Sequence, residues 1–123
     1  MSDDEIVLPD IVELDLTNAL RRVAGNKKLY LKILISFAQN EKDSPAKIRA
    51  LIDNSNIEEA EQLAHKIKGS AGNLGHTVLH NKLIALDNSL KENKDLVQIN
   101  LHLNEFEATL SEFIHKLTQQ KII

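Results

Sequence analysis

Apolar residues recur along most of the chain at spacings of three and four, which is the pattern of amphipathic helices. After a leader that ends near residue 13, the pattern predicts a short first helix that ends at Gly25-Asn26. A second, longer helix follows, with an apolar stripe over almost three turns. The stripe consists of Leu29, Tyr30, Ile33, Leu34, Phe37 and Ala38. The first third of the chain is therefore predicted to be helical.

Residues suited to helix starts divide the rest of the chain. Ser44-Pro45 is typical of an N-cap followed by the first helical residue. Asn56 is placed to cap a fourth helix over about residues 57–74, and Thr77 to cap a fifth. A last helix follows Asn93. The inward positions predicted for these three helices are Ile57, Ala60, Leu63, Ala64, Ile67, Ala71 and Leu74; Leu79, Leu83, Leu86 and Leu90; and Leu103, Phe106, Leu110, Phe113, Ile114 and Leu117.

The nearest approach to a strand is the alternation over residues 97–103, and it continues into helical spacing. The predicted connections are short, which favours antiparallel packing of neighbouring helices. We therefore predict an all-α fold, an antiparallel up-down four-helix bundle with an additional short N-terminal helix. The bundle is expected to span residues 13–120, and residues 1–12 to form a flexible acidic leader.

Composition and charge exclude several classes of function. The 123 residues suffice for one domain, and 42% apolar with 27% charged residues is typical of a soluble globular protein. The net charge of −3, mixed in sign, gives no support for nucleic-acid binding. The lack of cysteine excludes disulfides, Cys-ligated zinc and thiol catalysis. No apolar run approaches the roughly 20 residues of a membrane span, and the acidic start is the reverse of a secretory signal. We expect a cytoplasmic protein without direct membrane contact.

The fourth predicted helix carries two glycines, Gly69 and Gly72, in its interior, where each costs about 1 kcal/mol relative to alanine. At about 100° per residue, His65 points roughly 150° away from the apolar side, and both glycines lie within about 40° of its direction. Lys68 leans over the same surface and could neutralise negative charge gained by the ring. Bare backbone beside an exposed imidazole is what a partner protein would need in order to approach it.

The string His65-x-x-Lys68-Gly69-x-x-Gly72-x-x-Gly75, placed in mid-helix, resembles the signature of the histidine-containing phosphotransfer (HPt) domain family. It is similar to the variety found at the C-terminal end of hybrid sensor kinases. The resemblance covers roughly residues 13–118. Further matching positions are Leu29-Tyr30 with Leu34 and Phe37, and the entry Asn56-Ile57-Glu58.

The resemblance implies a phosphorelay intermediate of two-component signal transduction. His65 would accept a phosphoryl group from the aspartate of a receiver domain and pass it to another receiver. The receiver would supply Mg²⁺, so no cofactor and no metal are expected on this chain, and no catalysis of its own. The expected state in isolation is a monomer. The acidic leader with Leu8-Pro9 resembles the linker before such domains, which favours a module cut from a hybrid histidine kinase, at the cytoplasmic end of a membrane-bound sensor.

The resemblance also assigns residues around the histidine. Lys68 would stabilise the phosphorylated state, and four residues are expected to contribute to docking: Gly69, Gly72, Glu61 and Gln62. Family members often carry Gln or Glu on the following helix, within hydrogen-bonding reach of the ring. The corresponding residue is Asp87, whose shorter side chain we expect to be an ordinary surface acid beside Asn88. Orienting the ring is its alternative role.

Two other functions stay open. The dimerisation module of a sensor kinase also carries a helical histidine that becomes phosphorylated. In that family an acidic residue usually follows the histidine directly, whereas here the following residue is Lys66. A plain interaction bundle with an inert histidine would use the glycines for docking alone.

His76 and His80 are four residues apart and could chelate a metal on a helix. No third ligand supports such a site, and we expect none.

Overall fold

Helices supply the regular structure of residues 5–123, which are the residues that the computed structural model describes. The one exception in that range is an isolated bridge between Leu14 and His76. The all-α prediction is thereby confirmed. The helices are α1 (Leu16–Arg21), α2 (Lys27–Glu41), α3 (Ser44–Asp53), α4 (Ile57–Leu74), α5 (Thr77–Lys91) and α6 (Leu96–Gln119).

The starts of α3 and α4 show which cap predictions hold. α4 has the predicted bounds and begins after Asn56, although that side chain makes no capping hydrogen bond. α3 begins at Ser44 itself, with Asp43 as N-cap, so the prediction of a Ser44 cap is wrong by one residue. Ser44 is buried, and its hydroxyl donates to the Glu41 carboxylate at the end of α2 instead. Pro45 still falls in the first turn, where its missing N–H is harmless.

The cap of α5 is also one residue earlier than predicted. His76, and not Thr77, precedes the helix, and its Nδ1 accepts a hydrogen bond from the Leu79 amide at 3.1 Å. The bridge to Leu14 and the bond from the Thr77 amide to the Glu13 carbonyl fix the chain just before this helix. Those contacts place the imidazole, rather than the hydroxyl of Thr77, over the free amides.

The core contains most of the predicted inward positions, including all four leucines of α5. Tyr30, Phe106 and Phe113 are its largest fully buried side chains. The stripe of α2 is narrower than predicted, since Leu29 and Ile33 remain 41% and 39% exposed. The reason is that α2 packs against α1 and α4 at the edge of the assembly, so only part of its apolar face is covered.

α4 contacts three other helices, α2, α3 and α5. It packs along α5, which in turn packs along α6, and α3 contacts both α4 and α6. Within the described residues, none of the helices combines the length and apolar character needed to cross a bilayer.

The segment before α1 lies against the bundle over part of the predicted leader. Ile11 is buried, and Asp10 exchanges two hydrogen bonds with the Gln120 side chain. The Asp15 amide donates to the Gly75 carbonyl at 2.8 Å. A Cβ at Gly75, whose φ is +83°, would meet the Asp15 carbonyl oxygen at 2.8 Å, so the end of α4 requires glycine. The division of the chain at residue 12 stays a prediction, and residues 1–4 of the leader lie outside the described range.

Candidate functional site

His65 lies midway along α4 with 58% of its side chain exposed, so its predicted outward orientation is confirmed. Its Nδ1 is 3.2 Å from Oδ2 of Asp87 on α5. The expectation that Asp87 is an ordinary surface acid is wrong, because its side chain is fully buried. α4 and α5 pack so closely that even the short aspartate side chain spans the gap to the imidazole.

Two ammonium groups compensate the buried carboxylate of Asp87. Lys68 Nζ lies 2.7 Å and Lys91 Nζ 3.4 Å from the same Oδ2. Burial alone would raise the pKa of Asp87, but hydrogen bonds with Glu61, Lys68 and His65 hold that pKa at about 2. Asp87 is therefore a carboxylate at neutral pH. Lys91, one helical turn after Asp87, was missed from the sequence, although the i, i+4 spacing of opposite charges is a recognisable signal.

The charge of Asp87 decides the tautomer of His65. An ionised carboxylate can only accept hydrogen bonds, so Nδ1 must carry the proton in the 3.2 Å contact. In a neutral imidazole the lone pair then resides on Nε2. The site thus holds an exposed nitrogen nucleophile whose opposite ring nitrogen is anchored to a buried anion.

The two helix-interior glycines have different surroundings. A Cβ at Gly69 would meet no atom within 4 Å, whereas one at Gly72 would lie 3.0 Å from Cε1 of His80. The His80 ring is held there by a hydrogen bond between its Nδ1 and the Lys68 carbonyl, 3.0 Å long. Gly72 therefore makes room for a side chain of α5, a packing reason that sequence analysis missed. Gly69 is open surface one turn after His65. Docking at both glycines stays a prediction.

Glu61 and Gln62, the other predicted docking residues, face different surroundings. Gln62 is exposed, while Glu61 is partly buried beside Asp87. The hydrogen bond with Asp87, burial and the charge of Asp87 all raise the pKa of Glu61. Three residues each offer one ligand atom at this place, namely Glu61, Asp87 and His65. These atoms lie within 4.8 Å of one another, so the three residues could hold a cation. The absence of a metal on this chain stays a prediction, as does docking at Glu61 and Gln62.

His76 and His80 do not form the chelating pair that their spacing allows. His76 is buried as the cap of α5, with its ring edge-on to Phe113 at a centroid distance of 4.8 Å. The Nδ1 of His80 is engaged by the Lys68 carbonyl. Each ring thus has a structural role on a different side of the helix start.

An open cavity of about 690 Å³ is lined by residues of α2, α3 and α4. Its walls include the exposed apolar residues Leu29 and Ile33 of α2 and, from α4, Leu63 and Lys66. His65 does not line the cavity, and Lys66 points about 100° away from the histidine around α4, so the cavity lies to one side of the imidazole.

A family model described as "Hpt domain" matches residues 32–120, which include every residue of the cluster around His65. No curated protein and no solved structure matches the chain.

Proposed function

The chain belongs to the Hpt domain family, which performs histidine phosphotransfer in two-component phosphorelays, and we propose that His65 is its phosphoacceptor. Hpt domains interact with receiver domains of response regulators. In the proposed relay, His65 takes a phosphoryl group from a receiver aspartate and passes it to a second receiver. The observation that carries the proposal is the exposed imidazole anchored through Nδ1 to the buried Asp87 carboxylate at 3.2 Å.

The transfer follows from the proposed tautomer. The Nε2 lone pair of His65 attacks the phosphorus of the receiver's aspartyl phosphate, forming an N–P bond as the P–O bond to the aspartate breaks. The receiver recovers a free carboxylate. The imidazole keeps its Nδ1 proton and gains positive charge, which the adjacent Asp87 carboxylate stabilises. Transfer to the second receiver reverses these steps.

Lys68 is the cation best placed to compensate the new phosphoryl charge. Its ammonium carries three donors, and one is used on Asp87 at 2.7 Å. The others remain for phosphoryl oxygens at His65, three residues earlier on the same helix. Asp87 would therefore orient the ring, the role given above as the alternative to a surface acid, and would hold the lysine as well.

The receiver is proposed to dock over Gly69 and the neighbouring cavity. Gly69 leaves the surface beside His65 free of side-chain atoms, and Leu29 and Ile33 offer apolar contact area in the cavity wall. Gly72, Glu61 and Gln62 are proposed at the margin of this surface. The receiver is proposed to bring Mg²⁺ and its own acidic pocket, so this chain supplies an acceptor and no independent catalysis.

We also infer that α3, α4, α5 and α6 form the four-helix bundle, with α1 and α2 added at one side. Support comes from the cycle of contacts, since α3 meets α4, α4 meets α5, α5 meets α6 and α6 meets α3. A bundle that closes within one chain supports a monomeric module, and the cytoplasmic location is proposed from the family. A sensor-kinase dimerisation module would need a second chain, and sedimentation equilibrium distinguishes the two.

The proposal is tested by incubating the protein with a phosphorylated receiver domain and following the label. His65→Gln should abolish labelling, because glutamine lacks a nucleophilic nitrogen. His115→Gln is the matched control, since His115 is also an exposed helical histidine but lies on α6. Labelling of His65→Gln at the wild-type rate, or its loss in His115→Gln, would contradict the assignment.

A further inference from the structure

Two buried oxygen atoms beside the histidine have no hydrogen-bond donor among residues 5–123. They are Oε2 of Glu61 and Oδ1 of Asp87. Each belongs to a residue that brings one ligand atom into the group around His65, whose three atoms lie within 4.8 Å of one another. Two ionised carboxylates cannot satisfy each other, because each can only accept. One proton between them turns one oxygen into a donor and satisfies both.

We propose that Glu61 is a positioning residue for the phosphoacceptor, acting through a protonated carboxyl group that donates to Oδ1 of Asp87. The inference rests on the proposed phosphotransfer role of His65, and it reassigns Glu61 from a docking residue to a support of the buried carboxylate. Glu61 lies one helical turn before His65, so its side chain reaches Asp87 from the side opposite to Lys68 along α4.

The surrounding charges decide which of the two acids holds the proton. Asp87 faces Lys68 at 2.7 Å and Lys91 at 3.4 Å, and both favour its ionised form. Glu61 has no comparable ion pair among the described residues. The hydrogen bond with Asp87, burial and the Asp87 charge raise the pKa of Glu61, against opposing effects of Lys91 and His65. The proton therefore belongs to Glu61.

With this proton in place, both oxygens of Asp87 are restrained. Oδ2 accepts from His65 and Lys68 and forms an ion pair with Lys91 at 3.4 Å, and Oδ1 accepts from Glu61. The carboxylate cannot rotate away from the imidazole, which keeps the proton of His65 on Nδ1 and the lone pair on Nε2. When the pH rises through the elevated pKa of Glu61, the donor is lost and two like charges face each other. Asp87 is then held less firmly.

Three variants test the inference. Glu61→Gln carries a permanent N–H donor at the same position and mimics the protonated acid at every pH. Glu61→Ala removes the donor and should slow transfer about tenfold, the factor that one hydrogen bond to a charged group is worth. Glu58→Gln removes the same charge from an exposed position one turn earlier and is the matched control.

The decisive readout is the ratio of the transfer rates of Glu61→Gln and wild type across pH. We expect a ratio near one at acidic pH that rises as Glu61 loses its proton, while the ratio for Glu58→Gln stays flat. The Glu61 carboxyl carbon, followed by NMR in the unphosphorylated protein, should titrate above the ordinary value of 4.5 with the same midpoint. A flat ratio for Glu61→Gln, or an ordinary Glu61 titration, would overturn the inference.

NMR also separates this inference from the proposed function. The ¹⁵N shifts of the His65 ring report its tautomer without any receiver present. If His65 is not the phosphoacceptor, transfer is indifferent to His65→Gln, but the Glu61 titration and the Nδ1–H tautomer are still observed. If the positioning role is wrong, His65→Gln still abolishes transfer while Glu61→Ala keeps both the wild-type tautomer and the wild-type rate.

Discussion

Alanine at Gly69 and at Gly72 should have different consequences for stability, although both residues are interior to α4. Alanine gains about 1 kcal/mol of helix propensity over glycine at either position. At Gly69 the added Cβ meets no atom within 4 Å, so the full gain of about 1 kcal/mol is expected. For a domain of this size that gain raises Tm by about 4 °C.

At Gly72 the added Cβ meets the His80 ring, 3.0 Å from Cε1 and 3.1 Å from Nδ1. The ring must shift and lose its hydrogen bond to the Lys68 carbonyl, which is worth about 0.5–1.5 kcal/mol. That loss offsets the propensity gain. Gly72→Ala is therefore expected to leave the free energy of unfolding within about 0.5 kcal/mol of wild type, or to lower it.

Urea denaturation of the two variants measures this difference directly. The double variant Gly72→Ala with His80→Ala is the control, because removal of the ring should restore the propensity gain relative to His80→Ala alone. The reasoning is refuted if Gly72→Ala stabilises as much as Gly69→Ala, or if Gly69→Ala destabilises. Although it is more stable, the Gly69→Ala variant should accept a phosphoryl group more slowly than wild type, because its side chain fills part of the proposed docking surface. The Gly69→Gln variant, with a larger side chain, should be slower still.

Two further predictions concern groups away from the histidine. Burial lowers the pKa of His76, so the unfolded chain takes up a proton before the folded one. The free energy of unfolding should then fall as the pH drops below about 6.5, and His76→Asn, which keeps a capping acceptor, should reduce this fall in pH-dependent urea titrations. The buried Tyr30 hydroxyl donates to the Leu74 carbonyl at 2.7 Å, and burial raises the pKa of Tyr30 to about 12. Tyr30→Phe should lower the free energy of unfolding by about 1–2 kcal/mol at neutral pH, measured the same way.

The exposure of His65 could be predicted from sequence because it depends on one helix alone. The period of α4 fixes which side is apolar, and its bounds, Ile57–Leu74, agree with the pattern. The burial of Asp87 could not be predicted in the same way. A buried carboxylate is tolerated only with partners, and two of its three partners, Lys68 and His65, lie on a different helix. Their contact depends on how α4 and α5 are placed against each other.

The helix caps and the two glycines of α4 also depend on contacts that the sequence of one helix cannot predict. Ser44 and Thr77 are good caps by residue type, yet contacts with other parts of the chain decided which residue lies at each helix start. Gly69 and Gly72 lie on the same side of a helical wheel. Only the His80 ring from α5 distinguishes them, and its position follows from tertiary packing.

The central claim, that His65 is the phosphoacceptor through its outward nitrogen, is tested most directly by locating the phosphoryl group. Heteronuclear NMR of the protein labelled by a phosphorylated receiver identifies both the residue and the ring nitrogen. The 3.2 Å contact between Nδ1 and Asp87 predicts a single phosphohistidine at Nε2 of His65. Phosphorylation at Nδ1 of His65, or at any other histidine, would contradict the account.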